Sequence, residues 1–207
     1  MKTKEKILDV ALELFSCQGY QETSVAEIAE AVGIKAPSLY KHYRSKQAIF
    51  EAIVEKMKQQ YRQQASELQI NGTIPELAAG RYKNITEEDF VHTVLLMFRF
   101  FLQDSCMARF RKMMVLEQYR NPGMAQLYRQ QYFEGPVSYQ TELFRKLSEA
   151  GVLKDADPET MALQFYGPVF TLLNLCDHAP EQIPRAERML REHVLAFSRL
   201  YGRGKTL

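Results

Sequence analysis

Apolar residues recur with helical spacing along almost the whole chain, and no segment shows the strict alternation that is typical of a strand. In the first segment, Ile7, Ala11, Leu14 and Phe15 occupy positions that share one face of a helix. Glycine and proline residues divide the chain into about nine segments of this kind. The pattern predicts an all-α protein in which a small N-terminal trio of helices precedes a larger C-terminal helical bundle.

The composition is that of an ordinary globular protein with a sizeable core. Of 207 residues, 46% are hydrophobic and 25% are charged, and the net charge is only +2. A nucleic-acid function would therefore depend on local charge. The N-terminus has no apolar signal region, and the longest apolar run, residues 90–102, is too short to span a bilayer. We expect a soluble, cytoplasmic protein that does not contact membranes.

Groups that could support catalysis or bind a metal are scattered along the chain. The cysteines are odd in number and widely spaced, at Cys17, Cys106 and Cys176. They are predicted to be buried thiols, with a redox switch as the alternative. The histidines show no metal-binding pair at i, i+4, and lie at His42, His92, His178 and His193. No phosphate-binding glycine loop or nucleophile elbow is present. We predict no enzyme activity, no metal and no cofactor.

Two short helices joined by a tight turn are predicted near the N-terminus. Ser24 and Glu27 form the S-x-x-E capping box of a helix over residues 25–32, and Gly33 suits the turn that ends it. Pro37 fits the first turn of the next helix, where its missing N–H has no consequence. This spacing is typical of a helix-turn-helix.

The second helix of this pair is predicted to present a face of one charge sign. Leu39 and Tyr43 point towards the core, which leaves the residues between them outside. Residues 31–50 contain four cations and no acid; the cations are Lys35, Lys41, Arg44 and Lys46. A narrow helix with cations and hydroxyls suits the major groove of DNA.

The chain is divided by a predicted connecting helix and a break. Ser45 can cap a fourth helix that runs to about residue 68, and Asn71-Gly72-Thr73-Ile74-Pro75 follows it. We therefore expect a helix-turn-helix domain over residues 1–46, a connecting helix over 47–68, and a third part over 69–207.

The sequence GYQETSVAEIAEAVGIKAPSLYKHYRSKQAIFEAI, residues 19–53, resembles the DNA-binding region of the tetracycline-repressor (TetR) family of bacterial transcription regulators. The strongest matches are Phe15, Gly19-Tyr20, Thr23-Ser24-Val25, Ile28-Ala29, Ala31-Val32-Gly33, and the pair Leu39-Tyr40 with Tyr43 and Ser45-Lys46. The resemblance covers about residues 2–55 and implies a homodimer in which each subunit offers one recognition helix to half of a palindromic operator.

The resemblance also implies which residues contact DNA. Lys46 would meet a phosphate at the start of the fourth helix. Val25 departs from the family, where a hydroxyl residue is common. The full set of implied DNA-binding residues is Ser24, Val25, Lys35, Ala36, Pro37, Ser38, Tyr40, Lys41, His42 and Lys46.

The segment 161–176 is apolar on most of its faces. Its polar residues Gln164, Thr171 and Asn174 share one face, so the helix is either the central core helix of a monomer or has one face towards a second subunit. The resemblance implies the second arrangement, with the last helix joining it in a four-helix interface. The candidate dimer residues are Leu172, Leu175, Met189, Leu190, Val194, Phe197, Leu200 and Tyr201.

Aromatic residues and methionines are concentrated in the middle of the chain, where they either fill a core or line an apolar ligand pocket. The candidate ligand-binding residues are Met97, Phe98, Phe101, Met114, Tyr119, Phe133, Phe165, Tyr166, Phe170 and Asn174. Arg99 either faces solvent beside Glu88 and His92 or provides a counter-charge for an acidic ligand.

These features predict a repressor that a small, largely apolar ligand releases from double-stranded DNA. Ligand binding would move the fourth helix and change the separation of the two recognition helices. The alternative is a helix-turn-helix regulator whose C-terminal domain only dimerises or binds a protein partner.

Overall fold

The computed structural model describes residues 2–67 and 74–203, without the side chains of residues 76 and 77. The α-helices in chain order are α1 (Thr3–Gln18), α2 (Val25–Val32), α3 (Ala36–Tyr40), α4 (Lys46–Glu67), α5 (Pro75–Tyr82), α6 (Glu87–Gln103), α7 (Ser105–Glu117), α8 (Pro122–Arg129), α9 (Gly135–Glu149), α10 (Pro158–His178) and α11 (Ile183–Tyr201). A π-helical turn, Gln130–Glu134, and a 3₁₀ turn, Pro180–Gln182, complete them. The predicted break at Asn71–Thr73 and the tail beyond residue 203 lie outside the described residues.

The prediction of an all-α fold is confirmed, and the two helices beyond the predicted nine have identifiable origins. The stretch of α5 has only a weak helical pattern, and the sequence analysis did not predict a helix there. The second difference is that one predicted helix after Pro122 is divided into α8, the π-helical turn and α9. Pro136 lacks an N–H and its ring crowds the carbonyl of residue 132. The helix therefore takes the wider π-helical form just before this proline. No helix among residues 2–67 and 74–203 is long and apolar enough to cross a membrane.

The predicted caps are mostly confirmed. The Ser24 hydroxyl accepts from the N–H of Glu27 at 3.1 Å, and the Glu27 carboxylate accepts from the N–H of Ser24 at 2.6 Å. Ser45 caps α4 through the N–H of Ala48 at 3.0 Å. At the start of α1, Lys2 occupies the cap position and Thr3 is already helical.

The chain forms two compact units. The N-terminal unit consists of Met1–Tyr61 and Asp104–Tyr128, and the C-terminal unit consists of Arg62–Gln103 and Arg129–Leu207. Helix α4 therefore contributes to both. The segment 104–128, which was expected in the third part, falls in the N-terminal unit, where α7 packs against α1. The functional boundaries at residues 46 and 68 stay predictions.

In the N-terminal unit, α1 packs against both α2 and α7. Ile7, Phe15, Ile28, Leu39 and Met113 are all fully buried. Helix α3 has only five residues, which is too short for a helix to be stable by itself. Packing of its apolar side on the rest of this core therefore determines its position.

In the C-terminal unit, α10 packs against α6, α9 and α11, and α5 packs against α9. Two ion pairs also join α6 to α11. The Arg99 guanidinium donates to both carboxylate oxygens of Glu187, at 2.7 and 2.8 Å, and Arg191 donates to those of Glu88 at 2.7 and 3.0 Å. Arg99 is therefore a fold-stabilising residue, and neither sequence-based alternative for it included this partner.

We expect Glu187→Gln to destabilise the C-terminal unit at neutral pH but not in acid. Hydrogen bonds from Arg99 hold the pKa of the Glu187 carboxyl below its ordinary value of 4.5, although burial opposes them. A lowered folded-state pKa stabilises the protein above the unfolded-state pKa, and this contribution is lost as pH falls through the folded-state value. Because the pair is partly exposed, the expected loss at pH 7 is about 0.5–1 kcal/mol.

Urea unfolding at neutral pH and at about pH 3 measures this difference. Glu181→Gln, at an exposed position in the 3₁₀ turn before α11, is the matched control and should change neither value. An equal loss for Glu187→Gln at both pH values would contradict the assigned ion pair.

Candidate nucleic-acid interface

The turn between α2 and α3 is built on a residue that adopts left-handed backbone geometry. Gly33 has φ 81° and ψ 30°, a conformation that glycine adopts without the steric cost that other residues incur. The N–H of Ile34 then donates to the carbonyl of Ala29 at 2.9 Å, which closes the end of α2. Lys6 also caps this end, because its ammonium donates to the carbonyl of Val32 at 2.9 Å.

The inner side of the helix pair is apolar and tightly held. Ile28 and Leu39 are fully buried, and Val32 and Tyr43 are nearly so. The ammonium of Lys4 lies 5.4 Å from the centre of the Tyr43 ring, so α1 also covers this side. The predicted inward orientation of Leu39 and Tyr43 is therefore confirmed.

Most of the predicted DNA-binding residues are exposed to solvent; these are Ser24, Lys35, Pro37, Ser38, Tyr40, Lys41 and His42. Ala36 and Val25 are half-buried. Tyr40 is 51% exposed. We name the seven exposed residues, together with the exposed Arg44, the α3 surface.

The electrostatics of the α3 surface favour an anionic partner. Within the part of the chain that the structure describes, Lys35, Lys41 and Arg44 have no ion-pair partner. Folding thus holds three cations and several hydrogen-bonding groups on one narrow, solvent-facing element. A structure of this kind can bind phosphates and contact base edges in a groove.

Lys46 has a different role from the predicted phosphate contact. Its ammonium donates to the carbonyls of Tyr20, Gln21 and Thr23 at 2.7, 3.1 and 2.8 Å, so all three of its hydrogens are used inside the protein. Burial lowers the pKa of Lys46, and the nearby Glu117 carboxylate partly offsets that effect. No local sequence pattern indicates this orientation, because the carbonyls belong to a loop more than 20 positions earlier.

We expect Lys46→Met to destabilise the N-terminal unit by about 1–3 kcal/mol, because two half-buried carbonyls and one exposed carbonyl would lose a charged donor. Thermal unfolding monitored by helix content measures this loss. The salt dependence of DNA binding should not change, since the ammonium is not free for a phosphate. A slope reduced by about one unit would restore the phosphate assignment.

The candidate ligand residues do not form one set. Met114 and Tyr119 belong to the N-terminal unit, and Tyr119 is 89% exposed, so it lines no enclosed pocket. In the C-terminal unit, Phe98 and Phe165 are buried among other core residues. Met97 and Phe101 are half-buried against that core, and Asn174 donates to the carbonyl of Phe170 at 2.8 Å.

Three of the candidates do come together beside the π-helical turn. The ring of Phe133 lies 4.8 Å from that of Phe170, which stacks on Tyr166 at 6.1 Å between ring centres. The Tyr166 hydroxyl donates to the carbonyl of Tyr132 at 3.0 Å. Phe133, Tyr166 and Phe170 thus form a partly exposed aromatic cluster.

The candidate dimer residues divide into buried and exposed sets. Four of them belong to the unit's own core, which corrects their assignment to an interface; these are Leu172, Leu190, Val194 and Phe197. Leu175, Met189 and Leu200 are exposed, and Tyr201 is half-buried. Leu163, which was not among the predicted dimer residues, is 63% exposed on α10.

An open groove of about 1200 Å³ lies between α10 and α11. Gly167, Pro168 and Thr171 line it from α10, and Met189, His193 and Ala196 line it from α11. The ring of His193 is held by a 3.0 Å hydrogen bond to the carbonyl of Phe165. Among the described residues, no group of acidic, histidine or cysteine side chains could hold a metal ion.

Comparison with known proteins identifies the class to which the N-terminal helices belong. A family model described as "Bacterial regulatory proteins, tetR family" matches residues 7–53, which contain the whole helix pair and its inner core. Over these residues the chain is similar to the N-terminal domain of the TetR family of bacterial regulatory proteins.

The curated relatives are transcriptional regulators. The chain is 46% identical over 54 residues to the HTH-type transcriptional regulator AcrR of Shigella flexneri, and 49% identical over 51 residues to the negative transcriptional regulator IcaR of the biofilm operon icaADBC of Staphylococcus aureus strain Newman. The matches cover 26% and 25% of this chain and only 25% and 27% of the relatives.

The likeness to solved structures extends over the whole chain. The SmeT–triclosan complex has a TM-score of 0.71 at 20% identity and covers 100% of this chain and 95% of its own. SmeT is the repressor of the multidrug efflux pump SmeDEF of Stenotrophomonas maltophilia. At this identity the likeness establishes the fold alone.

Proposed function

We propose that the chain is a DNA-binding transcriptional repressor that binds a pseudo-palindromic operator as a homodimer and is released by a small, largely apolar ligand. The observation that carries the proposal is the α3 surface, where cations and hydroxyls face solvent while Leu39 and Tyr43 anchor the opposite side. The family of the N-terminal domain supports the same function.

DNA binding is tested by fluorescence anisotropy with a labelled duplex of random sequence. We expect binding that weakens steeply with salt, because each neutralised phosphate contributes about −0.9 to the slope of log K against log salt. An affinity that is undetectable at about 50 mM salt would contradict the proposal. The same slope provides the reference for variants of the α3 surface.

Homodimerisation is supported by the apolar residues left exposed on α10 and α11. Leu163, Leu175, Met189 and Leu200 are between 37% and 63% exposed, and Met189 also lines the groove between α10 and α11. A second copy of the chain that presents the same face would cover these side chains in a two-fold arrangement.

We expect Met189→Asp to dissociate the dimer, because it would bury a carboxylate at the interface without a partner. Sedimentation equilibrium at micromolar concentration should give a dimer for the unmodified chain and a monomer for the variant. Leu116→Asp, an exposed leucine on α7, is the matched control and should remain dimeric. A wild-type monomer at this concentration would contradict the proposed dimer.

Release by a ligand is supported by the aromatic cluster next to the π-helical turn. Turns of this kind occur frequently at functional sites, and three large rings with one polar contact are suited to an apolar molecule. SmeT, which shares the fold, has been solved with triclosan. In the proposed mechanism the ligand displaces α4, which contributes to both units, and the two recognition helices no longer match successive major grooves.

A second candidate is a regulator whose C-terminal unit only dimerises or binds a protein. The burial of Phe98 and Phe165, at 1% and 7% exposure, favours it. A compound screen for release of the bound duplex separates the two. A releasing compound must also bind more weakly to the DNA-bound protein, since linkage is reciprocal.

A further inference from the structure

Glu117, the last residue of α7, carries a buried carboxylate that binds the backbone of the distant loop between α1 and α2. Its Oε1 accepts a hydrogen bond from the N–H of Tyr20 at 2.8 Å, across 97 positions of sequence. The residue is 0% exposed, and its Oε2 has no hydrogen-bond partner within the described residues. Burying a carboxylate that makes only one hydrogen bond has a high free-energy cost. The contact with the Tyr20 N–H therefore points to a role in positioning the loop.

Gly19 makes this approach possible. A Cβ atom at residue 19 would lie only 2.7 Å from Oε1 of Glu117, well inside van der Waals contact. The backbone there has φ 96° and ψ 156°, a region that is essentially restricted to glycine. The loop is therefore shaped around the carboxylate.

The same loop is held from its other side by α4. Lys46 donates to the carbonyl of Tyr20, and its ammonium lies 4.6 Å from the centre of the Tyr20 ring. The N–H and the C=O of one residue are thus bound by side chains from two different helices. The loop leads directly to Ser24, the N-cap of α2, so this contact determines where the helix pair begins.

Helix α7 also has a direct chain connection to the C-terminal unit. It starts at Ser105, just after the segment Arg62–Gln103 of that unit, and ends at Glu117. Its 13 residues span about 20 Å as one rigid element.

We propose that Glu117 is a positioning residue for DNA binding, which acts by fixing the backbone N–H of Tyr20 and hence the placement of α2 and α3. The proposal rests on the proposed DNA-binding function. The required property is an acceptor oxygen at the position of Oε1. The negative charge itself is not required.

Three substitutions distinguish the position of the acceptor oxygen from the charge of the side chain. Glu117→Gln keeps an acceptor oxygen at the same distance from the backbone and removes the charge. Glu117→Asp keeps the charge, but its side chain is one methylene group shorter. Glu117→Ala removes both. Glu13→Gln and Glu13→Asp, at an exposed site on α1, are the matched controls.

The measurements are affinity for duplex DNA and the exchange rate of the Tyr20 amide. We expect Glu117→Asp and Glu117→Ala to bind DNA about 10- to 30-fold more weakly, with Tyr20 exchange at least about tenfold faster, as an unpaired amide requires. Glu117→Gln should stay within about threefold of the unmodified chain in both. If Glu117→Ala fails to fold, the Gln and Asp pair decides alone.

Glu117→Asp with unchanged affinity would overturn the inference, and so would Glu117→Gln with the loss expected for Asp. If the unmodified chain bound no DNA, the proposed function would fail and the positioning role would fail with it. In that case a fast Tyr20 amide in Glu117→Asp would still show that the backbone contact exists. Failure of the inference alone would instead leave wild-type DNA binding intact.

Discussion

Gly19→Ala should lower the free energy of unfolding of the N-terminal unit by about 3 kcal/mol, since two independent costs of about 1–3 kcal/mol coincide. The first cost is backbone strain, because φ is 96° at this residue. The second is steric, because the new methyl group would displace the Glu117 carboxylate from the Tyr20 N–H. The loss is a large fraction of the stability of an ordinary domain.

Gly80→Ala is the matched control for that substitution. Gly80 lies within α5, and a Cβ atom there would meet nothing within 4 Å. The same chemical change should therefore stabilise the protein by about 0.5–1 kcal/mol, as alanine does in a helix. Thermal unfolding followed by helix content measures both variants. A Gly19→Ala variant as stable as Gly80→Ala would disprove the assigned backbone conformation.

The double variant Lys35→Ala, Lys41→Ala should weaken DNA binding about 10- to 100-fold and flatten its salt dependence by up to about two units of slope. Both side chains are exposed on the α3 surface. Neither has an ion-pair partner among the described residues, so their removal should leave the fold unchanged. Anisotropy titrations at several salt concentrations give both quantities.

Lys58→Ala, Lys112→Ala removes the same net charge from exposed positions on α4 and α7, outside the α3 surface. If the two double variants lost affinity equally, binding would depend on overall charge alone. An unchanged slope with a large loss of affinity would instead assign Lys35 and Lys41 to base edges.

Local sequence signals were sufficient to predict the helix pair. The capping box at Ser24 and Glu27, the left-handed Gly33 and the buried Leu39 all depend on residues only a few positions apart. Such contacts follow from backbone geometry and periodicity, and for that reason the α3 surface could be derived before the structure.

Contacts between distant positions could not be predicted in the same way. Glu117 binds Tyr20 across 97 positions, and Arg99 binds Glu187 across 88. Lys46 turns inward because carbonyls of an earlier loop surround it. A helical pattern states which face is apolar but not which helix covers it, so Leu190 and Phe197 were assigned to an interface although they fill the core.

The most direct measurement of the central claim is repeated selection of bound duplexes from a random pool, followed by sequencing. A repressor that binds as a two-fold dimer should enrich an inverted repeat whose half-sites are centred about 34–36 Å apart, and the Lys35, Lys41 double variant should lose that enrichment. Enrichment of no common sequence over successive rounds, or of a single half-site without its inverted copy, would contradict the account.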